Sequence, residues 1–377
     1  MKIVIALDSF KGSLTSLEAG NAVKKGIERV YKDAEIFVRP IADGGEGTVD
    51  AVISAMNGEL RTVIVSDPLG RPIESSYGIA DGTAFIEMAA ASGITLVSAN
   101  ERDPLNTTTY GVGELIKDAM DQGIRNFVIG IGGSATNDGG IGMLSALGLE
   151  FLDENGKNVP FGAKGLGSLA EIRTDNALKE LKECTFKVAC DVKNPLCGEN
   201  GCSAVFGPQK GATSEMIEKM DKWLCNYAEL TKAILPSSDP DLPGSGAAGG
   251  LGFALRSYLG SELTPGIDLI MKATGLEAHI KDADIVITGE GSLDRQSYMG
   301  KAPVGVAKLA KKYGKPVIAF AGAVTPGASI CNEHGIDAFF PAVRTPCSLE
   351  EAMAPMNATA NLSDTAEQVF RVINMIK

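Results

Sequence analysis

Apolar positions along this chain fall into two patterns, short unbroken runs and helical spacings, and the two alternate over most of its 377 residues. The first run, residues 2–7 (KIVIAL), has the continuous hydrophobicity of a parallel strand buried on both faces. It stops at Asp8-Ser9-Phe10-Lys11-Gly12-Ser13. Thr15 and Glu18 are then spaced for a capping box, and Ala19, Val23, Ile27 and Val30 share one helical face. A second strand, Glu35 to Pro40, leads into Asp43-Gly44-Gly45-Glu46-Gly47-Thr48. The helix after it carries Val49, Val52, Ile53 and Met56 inward and should stop at Gly58. Twice, then, a strand delivers an acid and small residues to a helix start, where open α/β sheets bind ligands.

The pattern changes after residue 60. Thr62–Asp67, Pro72–Ala80 and Thr83–Met88 read as strands joined by Pro68-Leu69-Gly70 and by the hairpin turn Asp81-Gly82, so they should run antiparallel. A helix over Tyr110–Gln122 feeds the run Phe127–Ile131 and the glycine-rich loop Gly132 to Gly142. This α-β-α stretch resembles the first domain more than the second. Further on, Phe186–Asp191 reads as a strand and Ser214–Leu235 as a long helix, and Gly244 to Gly250 forms another glycine-rich stretch. The parallel pattern returns at Asp284–Thr288, with Gly289 to Gln296 placed in the loop beyond it. A helix over Pro303–Tyr313, strands Val317–Phe320 and Phe339–Val343, and a C-terminal helix follow. The expectation is two α/β domains. Residues 1–60 with 107–148 and 276–377 form the first, on a parallel sheet, and 61–106 with 149–275 the second, on a mixed sheet.

Composition narrows the function classes. Hydrophobic residues are 44% and charged residues 22%, the make-up of a folded protein, and the formal charge of −12 argues against nucleic acid or an anionic membrane as partner. No apolar stretch approaches the length of a membrane span. The seven cysteines lack zinc-site spacing and read as reduced thiols of a cytoplasmic protein. Two histidines, His279 and His334, are too few for a histidine metal cluster.

Charged residues cluster at the predicted strand ends and in the glycine loops: Asp8, Lys11, Asp43, Glu46, Asp138, Asp191, Lys193, Glu290, Asp294 and Arg295. Phosphoryl transfer needs this inventory: carboxylates for Mg²⁺ and a proton, lysine or arginine against developing charge, and bare amides for phosphate. Individually Asp8 or Asp43 could merely cap the next helix. The chain has no GxxxxGK(S/T) loop; Gly300-Lys301 comes nearest, with Arg295 and Ala302 at the two defining positions. Protein-kinase signatures and a GxSxG elbow are missing as well, no GxGxxG stands at the first strand-helix turn, and the one begun at Gly130-Ile131-Gly132 ends on Ala135.

Taken together, ALDSFKGSLTS (6–16), PIADGGEGT (40–48), SDPLGRP (66–72), GIGGSATNDGG (130–140), CDVKNPLCG (190–198), FGPQKGA (206–212), GAAGGLGFAL (246–255), ITGEGSLDRQS (287–297) and GKAPVGVA (300–307) resemble the type I glycerate kinase family. The resemblance implies ATP-dependent phosphorylation of D-glycerate with Mg²⁺, and two α/β domains, one Rossmann-like, with the active site in the cleft between them. It implies 2-phosphoglycerate as the usual product. Within that frame Lys11, Asp191 and Asp294 are the expected catalytic residues, the two acids as base candidates. Asp8, Ser9, Asp43, Arg71 and Arg295 would meet glycerate, and Asp43 and Glu290 would hold the metal. Gly132, Gly133, Ser134, Asn137, Asp138, Lys210, Gly249 and Gly250 would take the nucleotide phosphates. Competing readings are a kinase of another small hydroxy acid, and a two-domain binder of small anions without chemistry.

Overall fold

The opening apolar run forms the strand Lys2–Leu7, buried throughout except at Lys2. The computed structural model containing it describes residues 1–295, 297–299 and 301–376. Gln296 and Gly300, inside two of the motifs above, lie outside the described residues. The chain divides into two units, one of Met1–Asp43, Asp50–Gly58 and the stretch from Ile267 onward, the other of Gly44–Val49 and Glu59–Gly266.

In the first unit Lys2–Leu7 belongs to a five-stranded sheet. Its order is Ala338–Pro341, Val317–Val324, Ile285–Leu293, Lys2–Leu7, Glu35–Val38, and every pairing is parallel. Alternation along the strand sorts its side chains. Ile3, Ile5 and Leu7 pack with Val23 and Ile27 of helix Ser16–Glu28 and with Leu362 and Phe370 of helix Pro355–Met375. Val4 and Ala6 pack with Val304, Val306 and Ala307 of helix Ala302–Lys312 on the other face. The capping box expected at Thr15 and Glu18 is present. The strand expected at Asp284–Thr288 runs further, to Leu293, because Ser292 and Leu293 keep their register on Ala323 and Val324. Glu290 is therefore a strand residue and not a loop residue.

The second unit is built on a six-stranded mixed sheet ordered Glu262–Thr264, Thr185–Ala189, Asn126–Gly130, Thr83–Glu87, Pro72–Ala80, Glu59–Ser66. The last three strands pair antiparallel, as their short turns require, and the others parallel. Residues 107–148 were expected with the first domain, yet they lie in this unit: Asn126–Gly130 is held between Thr83–Glu87 and Thr185–Ala189. Local α-β-α pattern is the same in either sheet, and only the strand pairing assigns it. The core includes Ile116, Phe127, Ile129, Leu144, Phe186, Leu224 and Tyr227. Among the described residues no helix is long and apolar enough to cross a membrane, and all seven cysteines are free thiols.

Helices Ser16–Glu28 and Pro355–Met375 cross closely at Gly26, where an added Cβ would stand 2.0 Å from the Ser363 carbonyl oxygen. Gly26→Ala is expected to destabilise the fold by about 1–3 kcal/mol through this overpacking. Urea unfolding checks it, as a lower midpoint at unchanged slope.

Candidate active site

Three chain segments of the first unit open onto one cavity of about 450 Å³: the loop after Lys2–Leu7, the residues after Glu35–Val38, and the end of Ile285–Leu293. Asp8, Ser9, Lys11, Asp43, Glu290 and Asp294, all expected from the sequence, line it. Asp8 is the first residue past its strand; its amide donates to the Gly289 carbonyl at 2.9 Å, and its Oδ1 accepts from the Ser9 amide at 2.6 Å. Burial, and then the Asp43 charge beside it, push the Asp8 carboxyl up to about 7. Glu290 is buried as well and accepts at Oε1 from the Ser297 hydroxyl at 2.6 Å; burial raises its pKa. Asp294 accepts at Oδ1 from the Ser297 amide at 3.0 Å. Lys11 is exposed at the rim.

A further lysine joins them. The Lys301 ammonium lies 3.6 Å from Glu290 and 3.9 Å from Asp294, at the N-cap of helix Ala302–Lys312. The signal for it was Gly300-Lys301, set aside because neighbouring positions failed the phosphate-loop pattern. Arg295 is exposed and stays out of the cavity lining.

The second unit treats its candidates differently. Asp138 is fully buried and accepts from the Thr109 amide and hydroxyl at 2.8 and 2.9 Å and from the Gly140 and Gly142 amides at 3.1 and 3.3 Å. It organises its own loop. Asn137 donates to the Ser203 hydroxyl at 2.8 Å, and the buried Lys210 ammonium donates to the Thr136 carbonyl at 2.6 Å. Burial lowers the Lys210 pKa to about 8. The loops around Gly139 and Gly249, expected to cradle phosphate, pack on each other instead. The Gly139 amide donates to the Gly249 carbonyl at 2.9 Å, and a Cβ on Gly249 would meet the Thr136 oxygen at 2.1 Å. A Cβ on Gly250 would meet Gly139 Cα at 2.8 Å. Close backbone crossing and anion binding both demand glycine, so the sequence signal is the same. Ser134 is buried, while Gly132 and Gly133 remain exposed beyond the end of Asn126–Gly130. Asp191 follows the neighbouring strand Thr185–Ala189 and accepts from the Gly266 amide at 3.1 Å. Arg71, expected at glycerate, is paired with Asp67 at 2.7 Å and Glu101 at 3.1 Å.

A family model described as the glycerate kinase family matches residues 3–374. The chain is 51% identical to a glycerate 2-kinase of Escherichia coli (strain K12), over 93% of each chain. It is 48% identical to a glycerate kinase of Haemophilus influenzae, over 99% of each. Its fold superposes with a TM-score of 0.92 on the crystal structure of a protein assigned as glycerate kinase 2 of Salmonella typhimurium LT2, at 48% identity and covering 100% and 98% of the two chains. The chain belongs to the glycerate kinase family.

A glycerate kinase handles a polyanionic donor and a carboxylate acceptor together, and this cavity is lined by two lysines as well as by four acids. Their hard oxygen donors suit Mg²⁺. Among the described residues no three acidic, histidine or cysteine side chains form a ready metal cage.

The Asp8 shift has a stability consequence. From the ordinary carboxyl range up to about pH 7, the folded protein keeps a proton on Asp8 that the unfolded chain has lost, so stability falls as pH rises through that window. Asp8→Asn is expected to flatten this slope. Urea denaturation at about pH 5 and about pH 8 measures it, and an unaltered slope would show Asp8 ionised throughout.

Proposed function

We propose that this glycerate kinase transfers the γ-phosphoryl group of ATP to the 2-hydroxyl of D-glycerate, giving ADP and 2-phosphoglycerate, with Mg²⁺ as the accompanying cation. The observation that carries the reading is the delivery of Asp8, Asp43, Glu290 and Asp294, with Lys11 and Lys301, into one cavity of the first unit. The glycerate 2-kinase name of the Escherichia coli relative supports the choice of hydroxyl.

Each group has a physical task. Lys11, with Ser9, holds the glycerate carboxylate at the rim, and Asp8 accepts a hydrogen bond from the acceptor's hydroxyls. Asp294 takes the proton of the attacking hydroxyl as the new P–O bond forms and the bond to the leaving ADP oxygen breaks. Lys301 offsets negative charge that builds on the transferring group. Asp43 and Glu290 would hold Mg²⁺, which when bound neutralises phosphate charge. Asp191, which follows strand Thr185–Ala189 of the second unit, is the alternative base.

Coupled ADP release with D-glycerate is expected to need Mg²⁺, and the product is expected to be taken directly by enolase, which accepts the 2-phosphate and not the 3-phosphate. Asp294→Asn should lower kcat by about 10²-fold or more. Loss in Asp191→Asn with Asp294→Asn intact would transfer the base to the second unit, and turnover of another hydroxy acid above D-glycerate would refute the acceptor.

A further inference from the structure

The first unit's cavity continues past its charged residues. Ala342 and Val343 after strand Ala338–Pro341, Ala352 and Met353 of helix Leu349–Met353, and Ala358 and Leu362 of helix Pro355–Met375 form its other wall. Asn361 adds one carboxamide, whose oxygen accepts from Arg344 Nε at 3.4 Å. Strand Ala338–Pro341 is separated from Lys2–Leu7 by two others, which at ordinary strand spacing is about 14 Å. Charge is thus gathered at one end of the cavity and carbon at the other.

A three-carbon acid accounts for the charged end alone. It has no apolar surface to bury against Val343, Met353 and Leu362, and it is far smaller than about 450 Å³. Cavities of about 300–1,000 Å³ with mostly apolar walls and a few placed polar groups suit larger, partly aromatic ligands. Ala342, Ala352 and Ala358 leave room for a flat ring, and Met353 can adapt to its face. We infer that the apolar part of this cavity holds the nucleoside of the phosphoryl donor, its phosphates directed toward Lys301. The inference rests on the kinase reading above. It places the nucleoside away from the 132–140 and 246–250 loops, whose interior glycines are occupied in packing on one another.

Photolabelling of the unmodified enzyme with 2-azido-ATP is expected to mark peptides within residues 342–362. Label within 132–140, 246–250 or elsewhere in the second unit would overturn the inference. Ala352→Trp, which fills the cavity from a half-buried position, is expected to raise KM for ATP about tenfold or more and to leave KM for glycerate within about twofold. A rise in the glycerate KM alone would assign the whole cavity to the acceptor, and two unchanged KM values would exclude any ligand there; both sink the inference and leave the kinase reading standing. Wild-type enzyme that releases no ADP with glycerate would instead sink the kinase reading. Photolabelling needs no substitution, so it decides the matter if the tryptophan variant folds poorly.

Discussion

The pairing of Lys2–Leu7 with Ile285–Leu293 is the interaction on which the site depends. Leu7 is in register with Gly289, so Asp8 and Glu290, each the next residue, follow side by side although they stand 282 positions apart in the chain. Strand pairing brings two carboxylates side by side into one buried place. Burial and proximity then act on both in the same direction and disfavour their charged forms. Such an arrangement is costly for a protein that binds nothing there. It makes sense where lysines, a cation and an anionic ligand complete the electrostatics.

The sheet order extends that logic. Lys2–Leu7 has Glu35–Val38 on one side and Ile285–Leu293 on the other, and the strand ends of an open parallel sheet diverge where connections leave in opposite senses. The cavity lies over those ends, and helices Leu349–Met353 and Pro355–Met375 wall it on the side away from the acids. The third connection, through Ala302–Lys312, starts at Lys301 and sets a cation between Glu290 and Asp294. Polarity along the cavity thus follows from which strand each wall residue succeeds.

Glycine serves two unrelated ends in this chain. At Gly289 a Cβ would stand 1.8 Å from the Phe320 carbonyl oxygen, and at Gly322 it would stand 2.5 Å from the Gly291 oxygen, so the strands that carry Glu290 cannot accept larger residues there. In the second unit, Gly139 and Gly249 allow two loops to cross at backbone contact around a buried Asp138. Both sets look alike as sequence, and at both the space a side chain would need is taken by neighbouring backbone.

By itself the sequence determined what depends on neighbours in the chain. The buried run 2–7, the capping box at Thr15 and Glu18, the antiparallel strands joined at Asp81-Gly82 and the acids stationed at strand ends follow from periodicity and turn chemistry, and its ordered motifs pointed to the family. Tertiary structure decided what depends on distant partners. Strand pairing put 107–148 in the second unit and carried Ile285–Leu293 past Glu290. Helix packing supplied the apolar wall that no motif announced, and contact between remote loops turned Asn137, Asp138 and Lys210 inward. The reason is common to all of these: burial and pairing are properties of surfaces that meet only in the folded chain, whereas helical spacing, caps and turns are written within a few residues.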